Sequence, residues 1–404
     1  MIRKALILAA GKGNRMWPLT ENKPKPLLPV AGKSIIEKQI IELKKAGVKE
    51  VSVLIGYKMN QISDKLGNGD SFGLKINYVV QEEQKGTGHA VNQMKDKISE
   101  PFYCLNGDTI INQNNIQRLL DNKEHIVMMT TEVNDGSNFG AVDSKKGYLI
   151  SIKEKGVSGK TMINAGIYLF NPEIFKALAN IKKSIRGEYE LTDALESIAS
   201  DVKVVEYEGF WKDIGSPWDL LTANEQEINN VDGKNEGKIE ENVILNGTAR
   251  IGKGTILKSG TYIEGSVWIG DNCIIGPNAY LRNGTVLCGD NKVGASSEVK
   301  NSILMEGAKA PHHNYVGDSI LGENCNLGSG TKIANLKFDK SEIIVVHRGK
   351  KVNTKRRKLG AIIGDDTKTG INASINSGTI LGSNVKIGPG AIVSGTYESQ
   401  STII

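Results

Sequence analysis

The stretch IEENVILNGTARIGKGTILKSGTYIEGSVWIG, residues 239–270, places an aliphatic residue at every sixth position: Ile239, Leu245, Ile251, Leu257, Ile263 and Ile269. The series runs on through Ile275, Leu281, Leu287, Val293, Val299 and Met305. A helix repeats near 3.6 residues and a strand near 2, so neither explains a period of six. Four residues after many of these positions stands a small or β-branched residue, as at Ala249, Thr255, Thr261, Cys273, Ala279 and Thr285. Such a hexad fits one face of a triangular coil, and stacked coils make a left-handed parallel β-helix of hexapeptide repeats. The register is read as breaking at 311–314 and resuming at Tyr315, Leu321, Leu327 and Ile333. A basic, off-pattern stretch at 336–359 follows, after which Ile363, Ile375, Leu381, Ile387 and Val393 restore the repeat. Interruptions of a solenoid project as loops, where function is expected.

Working back from residue 239, the polar segment NNVDGKNEGK at 229–238 reads as a linker. The preceding residues, 1–228, alternate strand and helix signals. Buried strands are expected at 5–10, 51–55, 76–80 and 102–105, with an amphipathic helix over 34–46 stopped by Gly47. Short apolar strands separated by helices imply an α/β, Rossmann-like domain whose parallel sheet is covered on both faces. Ligands of such sheets bind outside the carboxyl ends of the strands, here at GKGNR, Gln81 and Asp108. The β-helix is assigned to 239–404.

The 404 residues suffice for two or three domains, and 39% hydrophobic with 24% charged residues excludes fibrous and disordered classes. A net charge of +6 over this length suits small anionic ligands and is too mild to indicate nucleic acid. Cys104, Cys273, Cys288 and Cys325 lack C-x-x-C pairing, as expected of reduced thiols in a cytoplasmic protein. The apolar run at 5–10 is too short for a signal peptide, and no stretch reaches the roughly 18 residues of a membrane helix.

The glycine loop lies in LAAGKGNRMWPLTENKPKPLLPV, residues 8–30. Met16 stands where a dinucleotide fingerprint needs glycine, and the GK[ST] of a P-loop is missing. A glycine loop after a first strand still offers backbone N–H groups to phosphate, with Arg15 and Lys25 as cations beyond it. As a whole the string resembles the L-x-A-G-x-G-x-R-x-x-P-x-T…P-K-P signature of sugar-1-phosphate nucleotidylyltransferases. QEEQKGTGHA at 81–90 resembles the uridine-binding stretch of bifunctional N-acetylglucosamine-1-phosphate uridylyltransferases. NGD (106–108), FGAV (139–142), EK (154–155), NAG (164–166) and FWKDIG (210–215) follow in family order.

The resemblance implies that Ala10, Gly11 and Gly13 cradle the nucleotide and that Gln81, Gly86 and Thr87 read its base. It implies Arg15 and Lys25 as catalytic cations on the triphosphate, and Asp108 and Asp213 as ligands of Mg2+. Gly140, Glu154 and Asn164 would orient the sugar, and Lys155 would meet its phosphate. Asn106 departs from the family, which carries an aromatic residue two before the metal-binding aspartate; sugar selectivity is therefore left open. Trp17 is read as packing.

In the repeat domain, KAPHHNYVGD at 309–318 resembles the K-x-x-H-x-x-Y-x-G-D loop of glucosamine-1-phosphate acetyltransferases. The resemblance extends over 239–335 and then loosens, the usual Tyr-Asp-Gly being replaced by Leu336–Lys337–Phe338–Asp339. It implies His312 as the base that relieves the attacking amine of its proton, histidine being the residue type that exchanges protons near neutrality. Arg282, Lys300, Tyr315 and Asn326 would bind the sugar phosphate, and Ser329 and Asn335 would serve acetyl transfer. His313 is expected to face away from His312, as alternate residues of extended chain do. RGKKVNTKRRK at 348–358 lacks interleaved aromatics and is read as a solvated, subunit-spanning loop, with acetyl-CoA phosphates as its second reading.

The expectation is a bifunctional enzyme that acetylates glucosamine-1-phosphate from acetyl-CoA and transfers UMP from UTP, with dTTP as the alternative, to N-acetylglucosamine-1-phosphate. It is expected to be a homotrimer with neither nucleic acid nor membrane as partner. Two rivals remain: a monofunctional glucose-1-phosphate thymidylyl- or uridylyltransferase with a trimerising β-helix, and a non-catalytic regulatory subunit of a nucleotide-exchange complex.

Overall fold

The computed structural model describes residues 2–122, 126–154 and 156–404. The chain forms two compact units. The first comprises Met1–Lys12, Pro24–Leu27 and Ile35–Ile214; the second comprises Gly13–Lys23, Leu28–Ser34 and Gly215–Ile404. The second unit thus takes two segments from the glycine-loop region of the chain.

In the first unit, nine strands form one sheet: β1 (Lys4–Leu8), β2 (Glu50–Ile55), β3 (Lys75–Val80), β4 (Phe102–Asn106), β5 (Ile126–Val133), β6 (Gly140–Lys145), β7 (Tyr148–Glu154), β8 (Thr161–Phe170) and β9 (Val202–Glu206). Their spatial order is β3-β2-β1-β4-β8-β5-β9-β7-β6. The first four are parallel, as their unbroken apolar runs imply, and the chain reverses direction of travel at β1. That reversal is a topological switch point, and the glycine loop leaves from its carboxyl end. Helix α1 (Ile35–Lys45) buries Ile36, Gln39, Ile40 and Leu43, one stripe at helical spacing. Lys44 and Lys45 complement its carboxyl end. Helices α2 (Met59–Leu66) and α3 (Thr87–Asn92) follow β2 and β3. Two cores contain the buried side chains of opposite sheet faces, such as Ile7 and Leu105 against Leu6 and Cys104.

In the second unit, parallel sheets form the three walls of the left-handed β-helix: two of eight strands each, and a third wall made of a five-stranded and a three-stranded sheet bridged at Asn326. Inward residues stack in columns: Ile251, Ile269, Leu287, Leu304, Leu321, Ile363 and Leu381 share one wall. All of these are fully buried, as are Leu257, Ile263, Ile275, Leu281, Val293 and Val299. The small residues Ala249, Thr255, Thr261, Cys273, Ala279 and Thr285 are buried too. Ile239 and Leu245 keep the period but are 36% and 43% exposed, because the stack starts there and no coil precedes them.

The register differs from the expected one at two places. Leu287 pairs with Leu304 and Leu304 with Leu321, so the inward residue after Val299 is Leu304 rather than Met305. Likewise Val316, paired between Val299 and Ile333, points inward, and Tyr315 lies beside it. Each change removes one residue from a turn, at 299–304 and at 316–321, while Ala310 keeps the six-residue step across 311–314. The expected break at 311–314 is thus displaced to its flanks, because apolar spacing alone could not show which turn is short.

The segment 229–238, expected as a linker, hydrogen-bonds along the first coil: Glu236 N donates to Ile251 O and Ile251 N to Lys234 O, both at 2.8 Å. Backbone pairing needs no apolar side chains, which is why its composition misled. Within the basic stretch 348–358, residues 348–353 form the turn and second strand of a hairpin, Ile344–His347 against Lys350–Asn353, rather than an irregular loop; most of its side chains are exposed, and the buried Ile343 and Val345 lie before it. His313 occupies a left-handed corner at φ +51° rather than extended chain, so the alternation argument does not apply to it.

Candidate active sites

In the first unit Ala10, Gln81 and Asp108 stand just beyond the carboxyl ends of the parallel strands β1, β3 and β4. Ala10 follows β1; its carbonyl accepts from Gln84 Nε2 at 2.6 Å and from Tyr57 N at 3.1 Å. Gly11 is exposed, with nothing near the position a Cβ would take. Gln81, at the end of β3, is buried, and its Nε2 donates to His89 Nδ1 at 3.1 Å. His89 belongs to α3, which begins after Gly86. Gly86 has φ +109°, and any Cβ there would stand 2.5 Å from Tyr189 O, so only glycine fits. Thr87 Oγ1 accepts from Leu191 N at 3.1 Å.

Asp108 follows Gly107, where a Cβ would stand 2.6 Å from Leu8 O; the turn thereby lies directly against the end of β1. Lys25 Nζ, largely buried, pairs with Asp108 Oδ2 at 2.6 Å. Asp213 lies opposite Thr109 in a short antiparallel pairing, and Ile214 N donates to Asp108 O at 3.0 Å. Two aspartates 105 positions apart are thus brought to adjacent backbone positions. Gly140 pairs with Glu154 across the β6–β7 hairpin, and Ile163, next to Asn164, pairs with Ala141. Glu154 accepts from Thr192 Oγ1 at 2.6 Å and from Arg186 Nη2 at 3.1 Å. Asn164 Nδ2 donates to Tyr168 OH at 2.7 Å. Lys155 lies outside the described residues. Asn106 abuts Gly166, at φ +71°.

Gly13 and Arg15 belong to the second unit. Gly13 precedes the tight turn Asn14–Met16, on which Arg15 is exposed.

On the β-helix, Arg282, Lys300, Tyr315 and Asn335 share one wall. Arg282 Nη1 pairs with Glu298 at 3.0 Å, and Glu298 lies in register between Tyr280 and Tyr315. Lys300 Nζ and Asn335 Nδ2 both reach Asp318 Oδ2, at 3.4 and 2.5 Å. Burial, with Glu298 and Asp318 nearby, raises the Tyr315 phenol above its usual value, while a hydrogen bond with Asn335 opposes this. His312 is exposed; its carbonyl accepts from Gly330 N at 3.0 Å, which sets Ser329 next to that contact. Asn326 bridges Lys309 and Lys368 on another wall, apart from the Arg282 cluster. A cavity of about 480 Å3 is lined by Lys300, Asn301, Asp318 and the basic residues 355–358.

The nucleotidyl transferase family model matches residues 4–230. A model for the GMPPB C-terminal domain matches 261–359, and one for six bacterial transferase hexapeptide repeats matches 360–395. The chain is 42% identical to a bifunctional protein GlmU of Methanococcus maripaludis, over 99% of this chain and 96% of that protein. It is 41% identical to a bifunctional sugar-1-phosphate nucleotidylyltransferase/acetyltransferase of Sulfurisphaera tokodaii, over 96% and 97% of the two chains. The chain belongs to this bifunctional family. Two solved structures resemble the nucleotidyltransferase part. One, described as a glucose-1-phosphate thymidylyltransferase of Bacillus anthracis, has a TM-score of 0.51 at 27% identity, covering 56% of this chain and 95% of that one. A UDP-glucose pyrophosphorylase bound to UDP-glucose has a TM-score of 0.50 at 25% identity, covering 57% and 100%.

For an enzyme of this family the structure adds residues that motif reading passed over. Gln39 of α1 is fully buried and its Nε2 donates to Asn106 O at 2.7 Å and Thr109 O at 2.9 Å, holding both ends of the turn that presents Asp108. Its signal was a polar residue inside an apolar helical stripe. Asp318, the last residue of the 309–318 motif, gathers Lys300, Asn301 and Asn335. Thr192 and Arg186 orient Glu154 from positions no short motif covers. Among the described residues no cluster of three or more His, Cys, Asp or Glu side chains forms a cation cage. Asp108 and Asp213 offer a hard, oxygen-only donor pair, which fits Mg2+, an ion that takes its other ligands from water and phosphate. No helix among the described residues is long and apolar enough to cross a membrane.

Proposed function

We propose that this enzyme makes a UDP-linked N-acetylated amino sugar in two steps: acetyl transfer from acetyl-CoA to glucosamine-1-phosphate, then UMP transfer from UTP to the product. The observation that carries the nucleotidyl step is the convergence of Asp213 on Asp108, itself paired with the buried Lys25. In that step a phosphate oxygen of the sugar-1-phosphate attacks the α-phosphorus, and the bond to the β-phosphate oxygen breaks to release pyrophosphate. Arg15 and Lys25 neutralise the charge that accumulates on the triphosphate. Mg2+, held by Asp108 and Asp213, supplies further charge neutralisation on the phosphates when bound. Gln81, held by His89, and the backbone at Gly86 and Thr87 face the base. Gly140, Glu154 and Asn164 position the sugar, with Lys155 at its phosphate.

In the acetyl step, Arg282 and Lys300 attract the sugar phosphate, and Tyr315 completes its contacts on the same wall. The amine nitrogen attacks the thioester carbon while His312 takes its proton; the C–S bond then breaks and the CoA sulfur leaves. The Ser329 backbone and Asn335 stabilise the oxyanion and orient the base. The outer walls of the β-helix are the surfaces by which a homotrimer assembles in the cytoplasm.

The test is a pair of assays on the full chain: pyrophosphate release from UTP or dTTP with a panel of sugar-1-phosphates, and CoA thiol release from acetyl-CoA with glucosamine-1-phosphate. His312→Ala should abolish thiol release and leave pyrophosphate release near wild type. A wild-type protein that releases no thiol from any amino-sugar phosphate would reduce the β-helix to a scaffold.

A further inference from the structure

The segment Gly13–Lys23, which carries Arg15, is grouped with the β-helix, and its contacts there are specific. His347 ends the first strand of the hairpin that interrupts the solenoid, and Arg348 begins its turn at φ +51°. Arg348 Nη1 donates to Asn14 O at 3.0 Å, and His347 Nε2 donates to Trp17 O at 2.8 Å. These carbonyls flank Arg15, one residue before it and two after. Their acceptor role fixes His347 as the Nε2–H donor. The imidazole also lies between two indoles, with centroids 6.2 Å from Trp17 and 6.0 Å from Trp218.

Farther along, Glu21 Oε2 accepts from Ser399 Oγ at 2.7 Å and from Ser383 N at 3.3 Å. Asn22 Nδ2 donates to Asp365 Oδ2 at 3.2 Å, and Lys23 pairs with Glu323. The hairpin is in turn fastened to the coils: Ile343 and Val345 are buried, and Thr396 Oγ1 donates to Val346 O. The guanidinium of Arg15 takes no part in this anchoring and remains exposed.

We propose that His347 and Arg348 are positioning residues for nucleotidyl transfer: the hairpin of the β-helix holds the backbone around Arg15, the cation assigned above to the triphosphate. The proposal rests on the assignment of Arg15 to the triphosphate made above. It gives a purpose to an insertion that the repeat does not need and to part of the basic stretch that acetyl transfer leaves unused. Burial lowers the tendency of His347 to take up a proton, which favours the neutral ring.

The experiment measures KM for UTP, KM for the sugar phosphate and kcat of nucleotidyl transfer in the full chain, with thiol release and the melting temperature recorded in parallel. His347→Ala should raise KM for UTP about five- to tenfold, the loss expected for one buried hydrogen bond and its alignment. KM for the sugar phosphate and thiol release should stay within about twofold, a split that general loosening would not produce. His347→Gln, whose amide can replace the Nε2–H, should restore most of the UTP affinity. Should His347→Ala lose both activities by unfolding, Arg348→Ala, an exposed truncation, still reads the other contact and should raise KM for UTP about two- to threefold. Arg15→Ala serves as the reference. If it loses activity while His347→Ala and Arg348→Ala keep wild-type KM for UTP, the positioning role is overturned and the site assignment stands. If Arg15→Ala itself retains activity, the site assignment falls and the positioning role with it.

Discussion

The two units build their sites by opposite routes. On the β-helix before the hairpin insertion, residues that meet along a wall lie 18 or 17 positions apart, as Leu281, Val299 and Val316 do. In the sheet unit, Lys25 reaches Asp108 across 83 positions and Glu154 reaches Thr192 across 38. A solenoid converts chain distance into spatial distance by a constant, so a spacing rule predicts neighbours. A doubly wound sheet has no such constant. Its site is collected at strand ends by turns, and substitutions there should be felt far along the chain.

The largest effect should come from the long-range pair. Asp108→Asn keeps the side chain's shape, removes the charge opposite the buried Lys25 ammonium and removes one expected Mg2+ ligand. Nucleotidyl transfer should fall about 10²-fold or more, in the range seen for lost electrostatic stabilisers. Thiol release should be unaffected. Pyrophosphate assays on Asp108→Asn and Lys25→Ala check this, and wild-type rates in either would dissolve the comparison at its catalytic end.

The next effect concerns stability and tests the corrected register. Leu304 is fully buried in the solenoid core, whereas Leu245 holds the period at an open end. Leu304→Ala should cost about 2–5 kcal/mol by lost burial and cavity formation. Leu245→Ala should cost about 0.5 kcal/mol or less. Urea melts separate the two; equal losses would mean that the coil stack continues over Leu245, for instance by covering from another subunit.

These contrasts also explain what could be read beforehand. The columns from Ile251 to Val299 were legible because every coil repeats the same turn, and the first four strands because buried parallel strands are unbroken apolar runs. The shortened turns at 299–304 and 316–321 were not, since deleting one turn residue leaves the next apolar residue only one position out of phase. Motifs marked Asp108 and Asp213, but no spacing rule announced that β-pairing at Thr109 would align them. The hairpin at 344–353 was hidden by its shortness: alternate residues Val345 and His347 are buried between exposed Ile344 and Val346, and this brief alternation gives way at once to Arg348, Lys350 and Lys351.

A smaller effect is expected at Gln39, where one buried amide spans the Asp108 turn. Gln39→Leu fits the apolar stripe of α1 but leaves the carbonyls of Asn106 and Thr109 without this donor. About 1–3 kcal/mol of stability should be lost, and kcat of nucleotidyl transfer should fall roughly tenfold as the turn loosens. Gln39→Glu, which keeps the reach but not the amide hydrogens, should not rescue it.

The smallest effect is a pH dependence confined to the sheet unit. Burial, reinforced by the Lys85 ammonium and only partly opposed by Glu83, lowers the His89 pKa below the ordinary histidine value. The folded state therefore prefers the neutral ring, whose Nδ1 accepts the hydrogen bond from Gln81. A group with a depressed folded pKa contributes fully above its unfolded value, about 6.5, and loses that contribution as pH falls through the folded one. Protonated His89 would present N–H to an amide N–H, and Gln81 would lose its orientation toward the base. KM for UTP should accordingly rise two- to threefold, roughly, on going from pH 7.5 to pH 5.5. KM for the sugar phosphate should follow only the titration of the phosphate itself. His89→Asn, which holds a hydrogen-bonding side chain without a titrating ring, should flatten the UTP profile. A profile identical in the wild type and His89→Asn would show that Gln81 is held by its own burial and not by the ring.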